Sequence, residues 1–274
     1  MSKQQKKVKN DLVGRVMLVT GGAKGIGSGC ARLFVEEGWN VVVLDIDDRA
    51  GHQLAAELDA NTLGACKFFR CDVGDFDELQ AVFNQMINDY GRLDCLINNA
   101  VQFPPRKKIE DYSAEEICSA ININLSSYIF LCKLAVPYLR ETRGSVVNMS
   151  SIVAIMGQDR NSVYGAAKGG ISALTKALAI DEAPYGVRVN AVAPGNILTG
   201  PRLAFEASLD DPQGYHDFIE TWQWLGRSGS IEEVAQTCHF LASEDASFIT
   251  GVELPFTGGI ELGQGPKTEV LRYY

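Results

Sequence analysis

Strand, glycine loop and helix follow one another without interruption at the start of this chain, and that order constrains the fold more than any other feature. Residues 15–20 read RVMLVT, a short apolar run suited to a buried parallel strand. They lead directly into Thr20-Gly21-Gly22-Ala23-Lys24-Gly25-Ile26-Gly27. From Gly25 to Gly38 the pattern becomes helical, with Ile26, Cys30, Leu33 and Phe34 at helical spacing and Gly38 as a stop signal. Such a unit aims free backbone N–H groups and the positive end of a helix at a pyrophosphate, and glycine is needed where a Cβ would keep the backbone from the ligand. A lone glycine loop is weak, because surface turns also collect glycine. Here the next strand, 40–44, ends at Asp45, about twenty residues beyond the loop, where a carboxylate can accept hydrogen bonds from ribose hydroxyls. The reading is therefore a dinucleotide site. Asp45 would repel a ribose 2′-phosphate, whereas Lys24 could attract one or swing to solvent; the carboxylate decides for NAD over NADP.

The second constellation is Tyr164 and Lys168, four residues apart and so on one helix face, with Ser151 thirteen residues upstream at a strand end. Holding a phenol ionised at pH 7 costs roughly 4 kcal/mol. A unit charge about 4–5 Å away at an effective dielectric near 20 returns roughly 3–4 kcal/mol. Lys168 is thus expected nearly to bring Tyr164 into the range of a neutral-pH acid or base, with a cationic nicotinamide supplying the rest. Tyr-x-x-x-Lys alone is a common accident on amphipathic helices; joined to a dinucleotide loop it points to chemistry.

Apolar strand candidates at about 15–20, 40–45, 66–71, 93–98, 144–150, 187–193 and 251–256 alternate with helical stretches. This alternation predicts one α/β domain, a doubly wound, parallel seven-stranded sheet with helices on both faces and a crevice beyond the strands' carboxyl ends. Gly21, Asp45, Asp72, Asn99, Ser151 and Pro194 all fall at those ends. Residues 200–226 break the alternation with Pro201, Pro212, Gly214, Trp222 and Trp224, and read as a mobile apolar lid over a substrate. The domain is expected to span 13–265, between a basic tail at 1–12 and a C-terminal tail at 266–274.

Thr20-Gly21-x-x-x-Gly25-x-Gly27, Cys71-Asp72-Val73, Asn98-Asn99-Ala100, Asn124, Ser151, Tyr164-x-x-x-Lys168 and Pro194-Gly195-x-x-x-Thr199, in this order and spacing, resemble the short-chain dehydrogenase/reductase family from about residue 13 to 265. The resemblance implies a Rossmann fold and hydride transfer between NAD and a secondary alcohol or ketone, such as a 17β-hydroxysteroid or a sugar like L-fucose. It gives Tyr164 the acid/base role, Lys168 the task of lowering its pKa and holding the nicotinamide ribose, and Ser151 the substrate oxygen. Asn124 would position a water linking Lys168 to solvent, with Asn122 as a neighbouring candidate. Gly21, Lys24, Gly25, Ile26, Gly27, Asp45, Ile46, Asp72, Val73, Asn99, Tyr164, Lys168, Ile197 and Thr199 would hold the cofactor; Ser151, Gln158 and Tyr164 would face the substrate. Val101 stands where the family usually has glycine and could crowd the nicotinamide ribose. Family members usually assemble as tetramers, and helical stretches at about 113–140 and 162–183, apolar on more than one face, suit a homotetramer. Competing readings are a silent dinucleotide-binding regulator, which the complete Ser/Tyr/Lys set disfavours, and a lyase or epimerase, for which the chain lacks a larger substrate domain.

Bulk properties agree with an enzyme of small molecules. A net charge of −9 argues against nucleic acid or an anionic membrane as partner. No uninterrupted apolar stretch approaches eighteen residues, so no membrane span is expected. Seven cysteines without a C-x-x-C suit buried thiols in a reducing cytoplasm, and three scattered histidines give no metal-site spacing.

Overall fold

The computed structural model describes residues 14–59 and 64–263; the expected tails at 1–12 and 266–274 lie outside the described residues. β1 (Val16–Thr20) is followed by α1 (Gly25–Glu36), β2 (Asn40–Asp45), α2 (Asp48–Asp59), β3 (Ala65–Arg70), α3 (Phe76–Tyr90) and β4 (Cys95–Asn98). Helix α4 (Ala114–Ile121) passes through a π-helical turn (Asn122–Ser126) into α5 (Ser127–Thr142). Then come β5 (Ser145–Met149), α6 (Ser162–Glu182), β6 (Arg188–Pro194), α7 (Gly200–Ala207), α8 (Pro212–Glu220), α9 (Ile231–Ala242) and β7 (Glu253–Phe256). The expected strands match within a few residues.

All seven strands are parallel in the order β3-β2-β1-β4-β5-β6-β7. In register, Leu18 lies between Val42 and Leu96. The chain winds outward from β1 to β3, then crosses back to β4, so a crevice opens beyond the carboxyl ends of β1 and β4. Every residue of β1, β4 and β5 is buried, which is why these strands read as continuous apolar runs rather than alternating ones. One core, with Phe34, Trp39, Cys238 and Leu241, lies beneath α1 and α9; the other, with Leu79, Phe83, Met86, Leu131 and Leu139, lies beneath α3 and α5.

Helix starts follow local chemistry. Asp75 caps α3 by accepting from the N–H groups of Asp77 and Glu78, and Ser113 and Ser230 form capping boxes with Glu116 and Glu233. Two segments differ in detail from what the sequence suggests. The continuous helical run 114–142 is long and apolar enough to cross a bilayer by length and composition, with a mean hydropathy of 1.4, although no uninterrupted apolar run predicted it. Its Tyr128, Leu131, Cys132, Ala135 and Leu139 are buried, so one face of the run packs into the core. The segment 200–226, expected as a lid, contains two helices tied together. Arg202 donates from Nε to Glu206 at 2.8 Å, His216 Nδ1 lies 3.2 Å from the other Glu206 oxygen, and Ser228 donates to Glu220 at 2.7 Å. Six of the seven cysteines are buried, all seven are unpaired, and Cys118 is exposed.

Candidate active site

The glycine loop begins where β1 ends. Gly21 adopts φ of 61° and Gly25 φ of 54°, backbone that L side chains rarely take. A β-carbon on Gly27 would stand 2.3 Å from the Gly21 carbonyl oxygen, so this glycine permits the loop to close on itself. A β-carbon on Gly25 would instead point into open space, meeting only the Thr199 methyl at 4.0 Å. The N-terminus of α1 has neither a side-chain cap nor an acidic residue in its first turn, unlike α3, α4 and α9. An open cradle before an uncapped, uncharged helix start has the donor set that a dinucleotide pyrophosphate requires, so the residues present fit NAD.

The loop is braced by two groups. Asp45 accepts from the Ala23 N–H at 2.9 Å and from the Asp47 N–H at 2.9 Å, binding the end of β2 to the loop. Asn99 spends its side-chain donors on the Thr20 and Gly21 carbonyls, each at 3.0 Å. It therefore shapes the cradle from beneath rather than presenting its amide to adenosine. Lys24 pairs with Asp47, which answers where its charge goes. Ile46 is 61% exposed beside Asp45. Asp72 accepts from the Gly74 N–H at 2.8 Å, with Val73 buried next to it. Ile197 and Thr199 follow β6, the Thr199 N–H donating to the Ile197 carbonyl at 2.8 Å. Val101 has a negative φ and a side chain that is 41% exposed, so the loop accepts it without left-handed backbone strain.

Tyr164 and Lys168 lie on the buried face of α6, and Ser151 follows the end of β5. The Ser151 hydroxyl acts on the Tyr164 phenol in the direction that lowers its pKa, and the Lys168 Nζ lies 5.7 Å from the Tyr164 ring centroid. The lysine donates to the Met149 carbonyl at 2.7 Å. Electrostatics differ from the simple expectation. Burial pushes the Tyr164 phenol up to about 12, with Ser151 pulling the other way. Burial also brings the Lys168 amine down to about 7. The expected Coulombic rescue was reckoned for a charged lysine and left out the cost of burying that charge.

Asn124 is fully buried in the π-helical turn and is saturated by the backbone: it donates to the Gln102 and Ala120 carbonyls at 2.8 and 2.9 Å and accepts from the Gln102 N–H at 3.0 Å. Its side-chain donors fix the loop after β4. Asn122 donates to the Gly74 carbonyl at 2.8 Å, toward the loop that carries Asp72. Asn98 bridges to Asn148 at 2.9 Å within the sheet, a purely structural contact. On the substrate side, Gln158 accepts from Asn161 at 2.7 Å, and Phe103, 69% exposed, tilts against Tyr164 with ring centroids 5.6 Å apart. Sequence reasoning missed Phe103 and, more importantly, Tyr128. The Tyr128 hydroxyl lies 3.3 Å from Lys168 Nζ and donates to the Ala100 carbonyl at 3.0 Å. Its four-residue spacing from Asn124 was a signal, but the π-helical turn between them breaks the helical count.

Comparisons with known proteins agree with this geometry. Residues 21–261 match the family model described as enoyl-(acyl carrier protein) reductase. An L-fucose dehydrogenase from Oryctolagus cuniculus is 45% identical over 254 residues, covering 93% of this chain and 87% of the relative. One from Bos taurus is 44% identical over 254 residues, covering 93% and 92%. Among solved structures, NAD+-bound xylitol dehydrogenase aligns with a TM-score of 0.84 at 29% identity, covering 92% of this chain and 100% of that one. The ligand-free aldohexose dehydrogenase of Thermoplasma acidophilum aligns with a TM-score of 0.83 at 33% identity, covering 93% and 96%.

Proposed function

The chain belongs to the short-chain dehydrogenase/reductase family, and we propose that within it the protein oxidises an aldose, L-fucose first among the candidates. It is an NAD-dependent oxidoreductase acting on CH–OH groups. The observation that carries the sugar reading is the match to L-fucose dehydrogenases from four species, 42–45% identical over 254 residues each.

Oxidising a carbinol removes a hydride from carbon and a proton from oxygen. Bound NAD supplies the hydride acceptor. Gly21, Gly25, Ile26 and Gly27 hold its pyrophosphate, with Lys24 at the rim; Asp45 and Ile46 take the adenosine ribose, Asp72, Val73 and the Asn99-braced loop the adenine side, and Ile197 and Thr199 the carboxamide. Ser151 and Gln158 orient the substrate, Ser151 by a hydrogen bond to the reacting oxygen. Tyr164 takes the proton as general base, and Lys168 stabilises the phenolate and holds the nicotinamide ribose. Loss of one proton from the Tyr164/Lys168 pair leaves either phenolate beside ammonium or phenol beside amine, and only the first accepts the substrate proton. Asn124 supports the relay by fixing Gln102 and the loop after β4. The helices of 200–226 cover the substrate, and the buried, unpaired thiols support a cytoplasmic setting. The half-exposed Ile129 on α5 and the exposed Ile180 on α6 favour a homotetramer built through these helices.

A second reading has its own support. Phe103, Leu203, Phe205, Phe218 and Trp222 are exposed on the loop after β4 and on the helices after Thr199, a surface that suits an apolar alcohol such as a 17β-hydroxysteroid. Purified protein with NAD is offered L-fucose, other aldoses and 17β-estradiol while reduced nicotinamide is followed by absorbance. The expected result is a kcat/KM for L-fucose at least about tenfold above that for the steroid, a difference of about 1.4 kcal/mol in barrier. Preference for the steroid overturns the sugar reading and leaves the reaction class intact.

A further inference from the structure

We propose that Tyr128 is a positioning residue of the proton relay: its hydroxyl anchors the Lys168 amine and favours the ammonium form that a Tyr164 phenolate needs. This rests on the acid/base reading of Tyr164 and Lys168 given above.

Tyr128 projects from α5 into the core and is 1% exposed. Its O–H donates to the Ala100 carbonyl at 3.0 Å. A phenol whose proton is committed in this way turns lone-pair density toward its other neighbour, the Lys168 Nζ at 3.3 Å. The Tyr128 ring also stands 4.9 Å from that nitrogen, within range of a cation–π attraction. The lysine therefore has two oxygen acceptors, the Met149 carbonyl and the Tyr128 hydroxyl, together with the faces of the Tyr128 and Tyr164 rings.

Burial of Tyr128 holds its phenol well above its ordinary pKa, and the neighbouring Tyr164 adds to the effect. Tyr128 thus stays protonated and does not compete as a base. The two phenols near one lysine have different tasks because of their partners. Ser151 lowers the pKa of the Tyr164 phenol, whereas Tyr128 is committed to the Ala100 carbonyl inside the core. An ammonium in a buried site is costly in proportion to the acceptors it lacks. Removing the Tyr128 oxygen leaves Lys168 with Met149 and shifts the shared proton deficit toward phenol beside amine, the form that cannot take the substrate proton.

The groups facing Lys168 can be named element by element. Tyr164 comes from α6, Tyr128 from α5, and the Met149 carbonyl from β5. Ser150, after β5, lies 3.4 Å from the Lys168 carbonyl; it and Ser172 donate to Glu253 of β7 at 2.6 and 2.7 Å. That carboxylate is therefore engaged on the backbone side of Lys168.

The test uses the full-length protein with NAD and L-fucose, or the alcohol that the substrate panel identifies. Y128F keeps the ring and deletes the acceptor. Its kcat should fall about tenfold or more, as expected for losing a hydrogen bond to a charged group, with the substrate KM nearly unchanged. The apparent pKa of the acid limb of kcat should move down by about half a unit or more, because the ammonium has lost an acceptor. Y128H, whose imidazole nitrogen can accept from the amine, should restore part of the rate and the parental limb. A side chain that merely fills the core would lower thermal stability without moving the pH limb. Y128F with the parental kcat and pH profile overturns the proposal. Y164F separates this failure from that of the underlying reading: if Y164F is inactive while Y128F behaves as the parent, only the role of Tyr128 falls, whereas turnover by Y164F removes the acid/base reading itself.

Discussion

Lys168 shows how burial and catalysis are set against each other at one position. Its amine has a folded-state pKa of about 7, well below the roughly 10.4 of an unfolded lysine. Between those values the unfolded chain binds more protons than the folded one, so stability rises with pH across that window; below about pH 7 the full cost of the buried charge is present. K168M should therefore raise the melting temperature by several degrees at pH 6, with the gain fading toward pH 10, as read by thermal unfolding at a series of pH values. A pH-independent change would mean that the amine is not being discharged by burial. The Ser151/Tyr164/Lys168 trio was legible because one helical turn separates two of its members. The acid–base balance was not, because desolvation depends on what packs around a side chain, and a one-dimensional spacing does not reveal that. Tyr128 escaped for a related reason, lying just beyond a π-helical turn. Asn99, expected to line the adenosine side, directs its amide into the glycine loop.

Among the elements, the glycine loop and the helical pair 200–220 carry opposite lessons. The loop was readable residue by residue, since its glycines answer to steric demands that the sequence states directly. G27A would put a methyl 2.3 Å from the Gly21 carbonyl oxygen and 2.7 Å from the Asn99 amide nitrogen. Such overpacking costs about 1–3 kcal/mol, and NAD affinity measured by calorimetry should fall about tenfold or more. Unchanged affinity would show that the loop does not form the cradle. The pair α7 and α8 was read as turns and aromatics because Pro201, Pro212 and Gly214 punctuate its sequence, whereas Pro201 and Pro212 in fact occupy the first turns of the two helices. What joins the helices is ionic: Arg202 lies between Glu206 and Glu220, and His216 contacts both carboxylates. R202M should loosen this cover, raising the rate of limited proteolysis within 200–226 by about tenfold while β1 and α1 remain resistant. Equal protection of parent and variant would place the cohesion of the cover elsewhere.

At the scale of the whole molecule, the doubly wound sheet gathers residues from Gly21 to Thr199 at one edge, and this gathering could be foreseen because alternating strands and helices leave few topologies. The long helix 114–142 matches the helical stretch expected at about 113–140; the π-helical turn at Asn122–Ser126 within it was not legible, because apolar spacing does not mark such a turn. Only 33% of its most apolar window is buried within the subunit, which leaves a face for a second copy. Light scattering on the full chain should give a mass near four times 29.8 kDa, and a monomeric mass would contradict assembly through this face. The central claim is that Tyr164 exchanges the proton while hydride passes to NAD. Its most direct test is the turnover of Y164F beside its NAD affinity, measured on the same preparation. The account predicts that kcat falls by about two to four orders of magnitude with NAD affinity nearly unchanged; a kcat within about tenfold of the parent would contradict it.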